Sequence, residues 1–139
     1  MTFRALYAHA ETMILGVGTD LAEVPRIRRS IEVYGERFLN RIYTPGEQAY
    51  ASRKGRAAES FAARFAAKEA AMKAIGTGMR GGVKWKDFEV ANERSGRPTL
   101  RFHGMALERA NAMGVKRVSI SLTHTAELAF AVVILEDGV

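Results

Sequence analysis

The sequence predicts an α+β domain in which an antiparallel sheet packs against one long central helix. Three stretches carry that prediction. Phe61 to Gly78, FAARFAAKEAAMKAIGTG, is alanine-rich and free of proline, with no glycine before Gly76, so helix propensity stays high until that residue stops it. Leu128 to Leu135, LAFAVVIL, is an unbroken apolar run of strand length, expected to be fully buried. Between them, Trp85 to Asn92 and Thr99 to Phe102 read as two strands joined by the turn Ser95-Gly96-Arg97-Pro98.

The elements follow in order. Met13 to Asp20, MILGVGTD, reads as a first strand: Ile14, Leu15 and Val17 give apolar bulk, and Gly16 and Gly18 permit close backbone approach. Asp20 falls at its end, either as an N-cap for the next helix or as a site residue. Leu21 to Tyr34 predicts that helix, with Pro25 in its first turn and Leu21, Val24, Ile27, Ile31 and Tyr34 at helical spacing. Arg26, Arg28 and Arg29 point mostly away from this stripe, as a solvated face or as a docking surface for an acidic partner. Gly35 breaks the helix, and Glu36 to Ile42 forms a short second one. Thr44-Pro45-Gly46-Glu47 has the form of a capping box opening a third helix that ends near Ser52. Arg53 to Arg56 is a loop leading into the long helix, which ends at Ile75. Gly76-Thr77-Gly78 is either an ordinary helix stop or a phosphate-binding turn. Beyond the hairpin, Met105 to Met113 is a helix ended by Gly114, and Arg117 to Leu122 is a strand. Thr123-His124-Thr125 makes a corner, so the last two strands form an antiparallel pair. There is no internal repeat of 20–50 residues.

Composition bounds the function. A chain of 139 residues, 47% hydrophobic and 26% charged, is that of one folded domain. We expect residues 1–12 to be an N-terminal extension and residues 13–139 to be the domain, Met13 being a second candidate start. There are no cysteines, which excludes a disulfide framework, a thiolate nucleophile and a Cys-ligated zinc site and fits a reducing cytoplasm. No apolar run approaches the ~18 residues of a membrane span, and the N-terminus lacks a signal-peptide pattern. The net charge of +6 points to an acidic partner: nucleic acid, an anionic membrane surface, a phosphorylated small molecule or an acidic protein.

The long helix is unusual on a helical wheel. Phe61, Phe65 and Met72 form one apolar stripe, and Arg64 and Lys68 share a flank. Glu69 and Lys73, one turn apart, share another flank roughly 140° from Arg64 at ~100° per residue. An acid and a base so placed on an apolar element are either a structural ion pair or an active site. Asp20 and Glu69 are hard oxygen ligands of the kind magnesium takes, one or two at a time, completing its shell with water and substrate phosphate. The histidines His9, His103 and His124 are too scattered for a zinc motif. His124, between two threonines after a strand, is either structural or a phosphate contact. With no GxSxG, P-loop or GxGxxG motif, the chemistry the chain can host is metal-assisted displacement at phosphorus, the attacking group coming from a substrate.

Taken together, ILGVGTDLAEVPRI, FAARFAAKEAAMKAIGTG and SISLTHT resemble, in order and spacing, the three signature segments of the holo-acyl-carrier-protein synthases. These are the small bacterial type of 4′-phosphopantetheinyl transferase, and the resemblance runs from Met13 to Leu135. It implies the 4′-phosphopantetheinyl transferase fold and a reaction that moves the phosphopantetheine arm of coenzyme A onto a serine of apo acyl carrier protein, releasing adenosine 3′,5′-bisphosphate, in fatty acid biosynthesis. By the same resemblance Asp20 and Glu69 hold magnesium, and Lys73 steadies the diphosphate, Glu69 and Lys73 being the catalytic pair. Arg64 and His124 meet the nucleotide end and its 3′-phosphate. Gly76, Thr77, Gly78 and Thr125 line that pocket, and Arg97 and Pro98 form the turn beside the adenine. The first helix, through Arg26, Arg28 and Arg29, docks the acidic carrier. The family's small members are homotrimers with each site between two subunits, which implies a homotrimer here. The serine proton has two candidate acceptors, Glu69 and a metal-bound water.

The alternative from a different class is a basic nucleic-acid-binding domain. It rests on charge alone, and no nucleic-acid-binding motif accompanies it. An inactive structural subunit would require loss of Asp20, Glu69 or Lys73, and all three are present. The expected partners are coenzyme A and apo acyl carrier protein, with neither nucleic acid nor membrane, in the cytoplasm.

Overall fold

The structure, a computed structural model, describes residues 12–53 and 55–138. The expected extension therefore lies almost wholly outside the described residues, as does His9. The chain builds one three-stranded antiparallel sheet from β1 (Ile14–Glu23), β4 (Arg117–His124) and β5 (Leu128–Glu136), in the order β1-β5-β4. A separate antiparallel hairpin pairs β2 (Phe88–Asn92) with β3 (Pro98–Phe102). Three helices follow β1: α1 (Val24–Tyr34), α2 (Glu36–Ile42) and α3 (Pro45–Ser52). Then comes the long α4 (Ala57–Ile75), and α5 (Gly104–Met113) joins the hairpin to β4. This is the α+β arrangement expected, a sheet packed on a central helix. Among the described residues no helix is long and apolar enough to cross a membrane.

Helix α4 is covered on nearly all sides. Ala62, Ala66, Ala67, Ala70 and Ala71 are fully buried, the sheet lying on one side and α3 with the hairpin on the other. It ends as expected, with Gly76 in the left-handed conformation (φ 77°) and its N–H bonded back to Met72 and Lys73. The glycines of β1 set the distance to the helix. A Cβ at Gly16 would lie 2.2 Å from the carbonyl oxygen of Ala74, and one at Gly18 would lie 1.8 Å from that of Ala70. Strand and helix backbones therefore touch, with no side chain between them.

Three expectations are corrected. First, β1 continues past Asp20, because Leu21, Ala22 and Glu23 pair with Phe130, Ala129 and Leu128 of β5. Asp20 is thus a strand residue facing α4 and not an N-cap; Glu23 occupies the N-cap position, without a side-chain hydrogen bond. Leu21 and Tyr34 drop out of the α1 stripe, each 61% exposed. Second, β5 is not buried throughout. Ala129, Ala131, Val133 and Leu135 are fully buried against α4, but Phe130, Val132 and Ile134 face outward and are half-buried. Among the described residues the sheet has one covered face, so an unbroken apolar run still alternates. Third, Trp85–Asp87 forms a turn of 3₁₀ helix ahead of β2, and β4 extends to His124, which makes His124 a strand residue.

The capping box forms as expected: Thr44 Oγ1 accepts from Glu47 N at 3.2 Å and Glu47 Oε1 accepts from Thr44 N at 2.9 Å. Glu47 has a second use. Lys68 donates to Glu47 Oε1 at 2.8 Å, to the Trp85 carbonyl at 3.3 Å and to the Phe88 carbonyl, while Val90 N donates to Glu47 Oε2 at 2.9 Å. Both side chains are wholly buried, so the Lys68 flank of α4 is interior. Burial lowers the Lys68 pKa from its ordinary value, against the pull of Glu47.

The hairpin is tied to α3 a second time. Glu89 accepts from Thr44 Oγ1 at 2.9 Å and lies 3.0 Å from His103 Nε2. Burial pushes Glu89 up, but the His103 and Thr44 hydrogen bonds and the nearby His103 and Arg101 charges outweigh it, and the carboxyl titrates below its ordinary value. A depressed folded pKa adds stability that is present above the ordinary glutamate range and is lost as pH falls through the folded value. Glu89→Gln should therefore lower the urea midpoint at pH 7, and the gap to the parent should close below about pH 4. A gap of constant size down to about pH 3 would contradict this account.

Candidate active site

The β1–α4 contact places the first group. Gly18 lies against Ala70 and Gly16 against Ala74, so strand and helix run antiparallel and Asp20, two residues on, reaches the turn that carries Glu69. The Asp20 and Glu69 carboxyls lie side by side, close enough for the Asp20 charge to disfavour that of Glu69. Lys73 donates to Asp20 Oδ1 and to the Thr19 carbonyl, both at 3.0 Å. The expected Glu69–Lys73 acid–base pair is thus a cluster of three, with the ammonium bonded to Asp20. Burial and then the neighbouring Asp20 raise the Glu69 pKa above its ordinary value, against Lys73 and Arg26. A hollow of about 330 Å³ opens here, lined by Asp20, Glu69 and Arg26 and by the apolar Leu21, Ile27, Phe38 and Phe65.

Across α4 lies a larger cavity of about 550 Å³, lined by Arg64, His124, Pro98, Asn92, Tyr50 and Arg56 among others. Arg64 is only 3% exposed. It donates to Asn92 Oδ1 at 2.6 Å and to Ser60 Oγ at 3.0 Å, and its Cζ sits 4.5 Å over the Tyr50 ring. Its Nε is buried with no partner among the described residues. Burial lowers the Arg64 pKa from its ordinary value, with Glu47 and the tyrosines opposing. His124 Nδ1 lies 3.0 Å from Glu59 Oε1.

The two cavities share no lining residue, because Arg64 and Glu69 leave α4 on opposite sides. Other anticipated residues line neither. Gly76, Thr77 and Gly78 follow Lys73 at the end of α4, with Thr77 Oγ1 donating to the Gly78 carbonyl at 3.0 Å. Thr125 Oγ1 accepts from Glu127 N and Leu128 N, both at 3.1 Å, and so shapes the β4–β5 turn. Arg97 is exposed in the β2–β3 turn, where its carbonyl accepts from Glu93 N at 2.9 Å. Arg28 and Arg29 are exposed on α1 beyond the smaller hollow.

Sequence reasoning missed Glu59, Asn92 and Tyr50. Glu59 and Asn92 reach His124 and Arg64 only through tertiary packing, and no spacing in the chain announces either pair.

Among the described residues no group of three or more His, Asp or Glu suits a metal. The chain offers the Asp20–Glu69 pair. Two neighbouring carboxyls are a hard-oxygen donor set with excess negative charge. That fits a divalent cation that takes its remaining ligands from water and phosphate.

The sequence matches the 4′-phosphopantetheinyl transferase superfamily over residues 16–133. A holo-[acyl-carrier-protein] synthase of Solibacter usitatus is 63% identical over 125 residues, which are 90% of this chain and 100% of that protein. The crystal structure of holo-[acyl-carrier-protein] synthase from Neisseria meningitidis superposes with a TM-score of 0.79 at 37% identity, covering 88% of this chain and 98% of that one. The Bacillus anthracis holo-(acyl-carrier-protein) synthase, solved in complex with CoA (3′,5′-ADP), gives a TM-score of 0.75 at 38% identity over 91% of this chain and 99% of that one.

Proposed function

The chain belongs to the 4′-phosphopantetheinyl transferase superfamily, and we propose that the Asp20–Glu69–Lys73 cluster is where it does the family's chemistry. It transfers the 4′-phosphopantetheine arm of coenzyme A to a serine of apo acyl carrier protein and releases adenosine 3′,5′-bisphosphate. The observation that carries the site is the carboxyl pair shared between β1 and α4, with Lys73 3.0 Å from Asp20.

Asp20 and Glu69 would hold magnesium, which when bound neutralises the diphosphate and makes its phosphorus more electrophilic. Lys73 stands where a diphosphate oxygen can take its ammonium in place of Asp20. Glu69 is the group of this chain that we propose takes the serine proton. The serine oxygen bonds to the phosphorus bearing the pantetheine arm, and the bond from that phosphorus to the bridging oxygen breaks. The bridging oxygen departs with the nucleotide. Arg26 lines the same hollow, and Arg28 and Arg29 continue its positive charge along the exposed face of α1, which suits an acidic carrier protein.

The nucleotide end belongs in the larger cavity, where the unpartnered Arg64 Nε, His124 and Pro98 meet. Gly76, Thr77, Gly78, Arg97 and Thr125 act through the turns around these two centres. One subunit carries the two cavities on opposite sides of α4, so coenzyme A spans the Glu69 hollow of one subunit and the Arg64 cavity of the next. Among the described residues one sheet face is uncovered, and it supports a homotrimer: Val17, Leu21 and Leu128 are 54%, 61% and 45% exposed, beside half-buried Phe130, Val132 and Ile134. The cysteine-free composition supports a cytoplasmic setting.

Two experiments test this reading. Incubation with coenzyme A, magnesium and an apo carrier protein should add the mass of one phosphopantetheine group to the carrier; an unchanged carrier mass, with a carrier other transferases modify, would reject the activity. Arg64→Met and Glu69→Gln should each be inactive alone. Refolded together at equal amounts, they should restore about a quarter of the sites, the statistical share in which each variant supplies its intact half. No recovery in a mixture that still assembles would place each site within one subunit.

A further inference from the structure

We propose that Glu59 is a positioning residue for His124, fixing the ring so that Nε2 faces the anion held in the larger cavity. This rests on the reading above that the cavity takes the 3′-phosphorylated end of coenzyme A. A carboxylate beside a site built for an anion is an electrostatic cost, so its presence calls for a physical reason.

Glu59 sits in the first turn of α4 with its side chain 11% exposed, and His124 ends β4 with its side chain 41% exposed. The Nδ1 to Oε1 separation is 3.0 Å. A carboxylate only accepts, so the proton of that bond sits on Nδ1 and the ring is oriented through it. Nε2 is left for the cavity that His124 lines together with Arg64 and Arg56. With a phosphate on the far side, the ring stands between two anions, Nδ1 toward Glu59 and Nε2 toward the ligand. The negative charge of Glu59 is partly offset. The N–H groups of the first turn of α4 favour an acid there, and Arg56 Nε lies 3.9 Å from Oε2. Glu59 therefore directs His124 while its own charge is partly balanced by the helix end and Arg56. The arrangement parallels metal-bound histidines, whose outer nitrogen is fixed by a carboxylate.

The test compares coenzyme A with 3′-dephospho-coenzyme A in steady-state kinetics. Glu59→Ala should raise KM for coenzyme A about tenfold, with kcat changed less than about twofold and KM for the dephospho substrate nearly unchanged. Glu59→Gln keeps an oxygen acceptor and should lose less. His124→Ala should show the same selective loss, and adding Glu59→Ala to it should cost nothing further. If Glu59→Ala weakens both substrates equally while His124→Ala remains selective, the positioning role is overturned and the phosphate reading stands. If His124→Ala shows no selectivity, the phosphate reading falls and the positioning role with it. Should Glu59→Ala fail to fold, Glu59→Gln decides: a selective loss absent from the His124→Ala background supports the role, and an equal loss in both backgrounds overturns it.

Discussion

Glu69→Gln should reduce turnover by about a hundredfold or more while leaving the melting temperature unchanged or higher. The two halves of that expectation share one cause. Glu69 titrates above its ordinary range because burial and Asp20 disfavour its charge, so the folded state is penalised wherever Glu69 is ionised. Glutamine removes that penalty and keeps the shape and one acceptor. It also removes half of the paired-carboxyl donor set, and with it the group proposed to accept the serine proton. Asp20→Asn should behave alike. It costs Lys73 a charged partner, but the Lys73 side chain is 57% exposed and water replaces most of that interaction. Opposite movements of activity and stability mark a site held against its own electrostatics. Carrier-mass assays beside thermal unfolding check both halves, and full activity in both variants would remove the pair from the mechanism.

The second large effect is on stability. Lys68→Met leaves the Glu47 carboxylate buried without its cation, and Glu47→Gln leaves the ammonium buried with neutral acceptors only, the carbonyls of Trp85 and Phe88 among them. Each single change should cost about 3–5 kcal/mol in urea unfolding, because removing one partner of a buried pair strands the other's charge. The double variant Lys68→Met/Glu47→Gln should recover part of that loss. Glutamine at 47 keeps the capping-box acceptor for Thr44 N, and methionine fills the channel without a charge. The pair joins α3, α4 and β2, so its loss loosens the hairpin that carries Asn92 against Arg64. A single-variant cost under about 1 kcal/mol would show the pair to be dispensable.

Much of this molecule is legible along the chain, and the limits are physical. The capping box at Thr44, the stop at Gly76 and the β2–β3 hairpin are local, set by residues within a few positions, and they stand where expected. The end of β1 is not local. Leu21 has helical spacing with Val24 and Ile27, yet the ladder to β5 holds Leu21 to Glu23 extended and turns Asp20 toward Glu69. The wheel of α4 separates Arg64 from Glu69 correctly, and that separation reappears as two cavities. A wheel describes one helix without its neighbours, however, and so it placed Lys68 on a polar flank when Glu47 draws it into the interior. Asp20 and Glu69 were found through the resemblance and the chemistry of hard ligands. Glu59, joined to His124 across 65 positions, leaves no trace in spacing or composition.

The glycine–alanine seam between β1 and α4 has a consequence for heat and fluctuation. Gly16, Gly18, Ala70, Ala74, Ala129 and Ala131 have no rotamers to lose on folding and none to excite on warming. The separation of the two carboxyl-bearing backbones is accordingly a hard-contact distance, set by atoms at their van der Waals limit and not by an average over side-chain states. Spectroscopic order at Asp20 and Glu69 should then decline with temperature only when the fold itself gives way, later than at the rotamer-rich exposed arginines of α1.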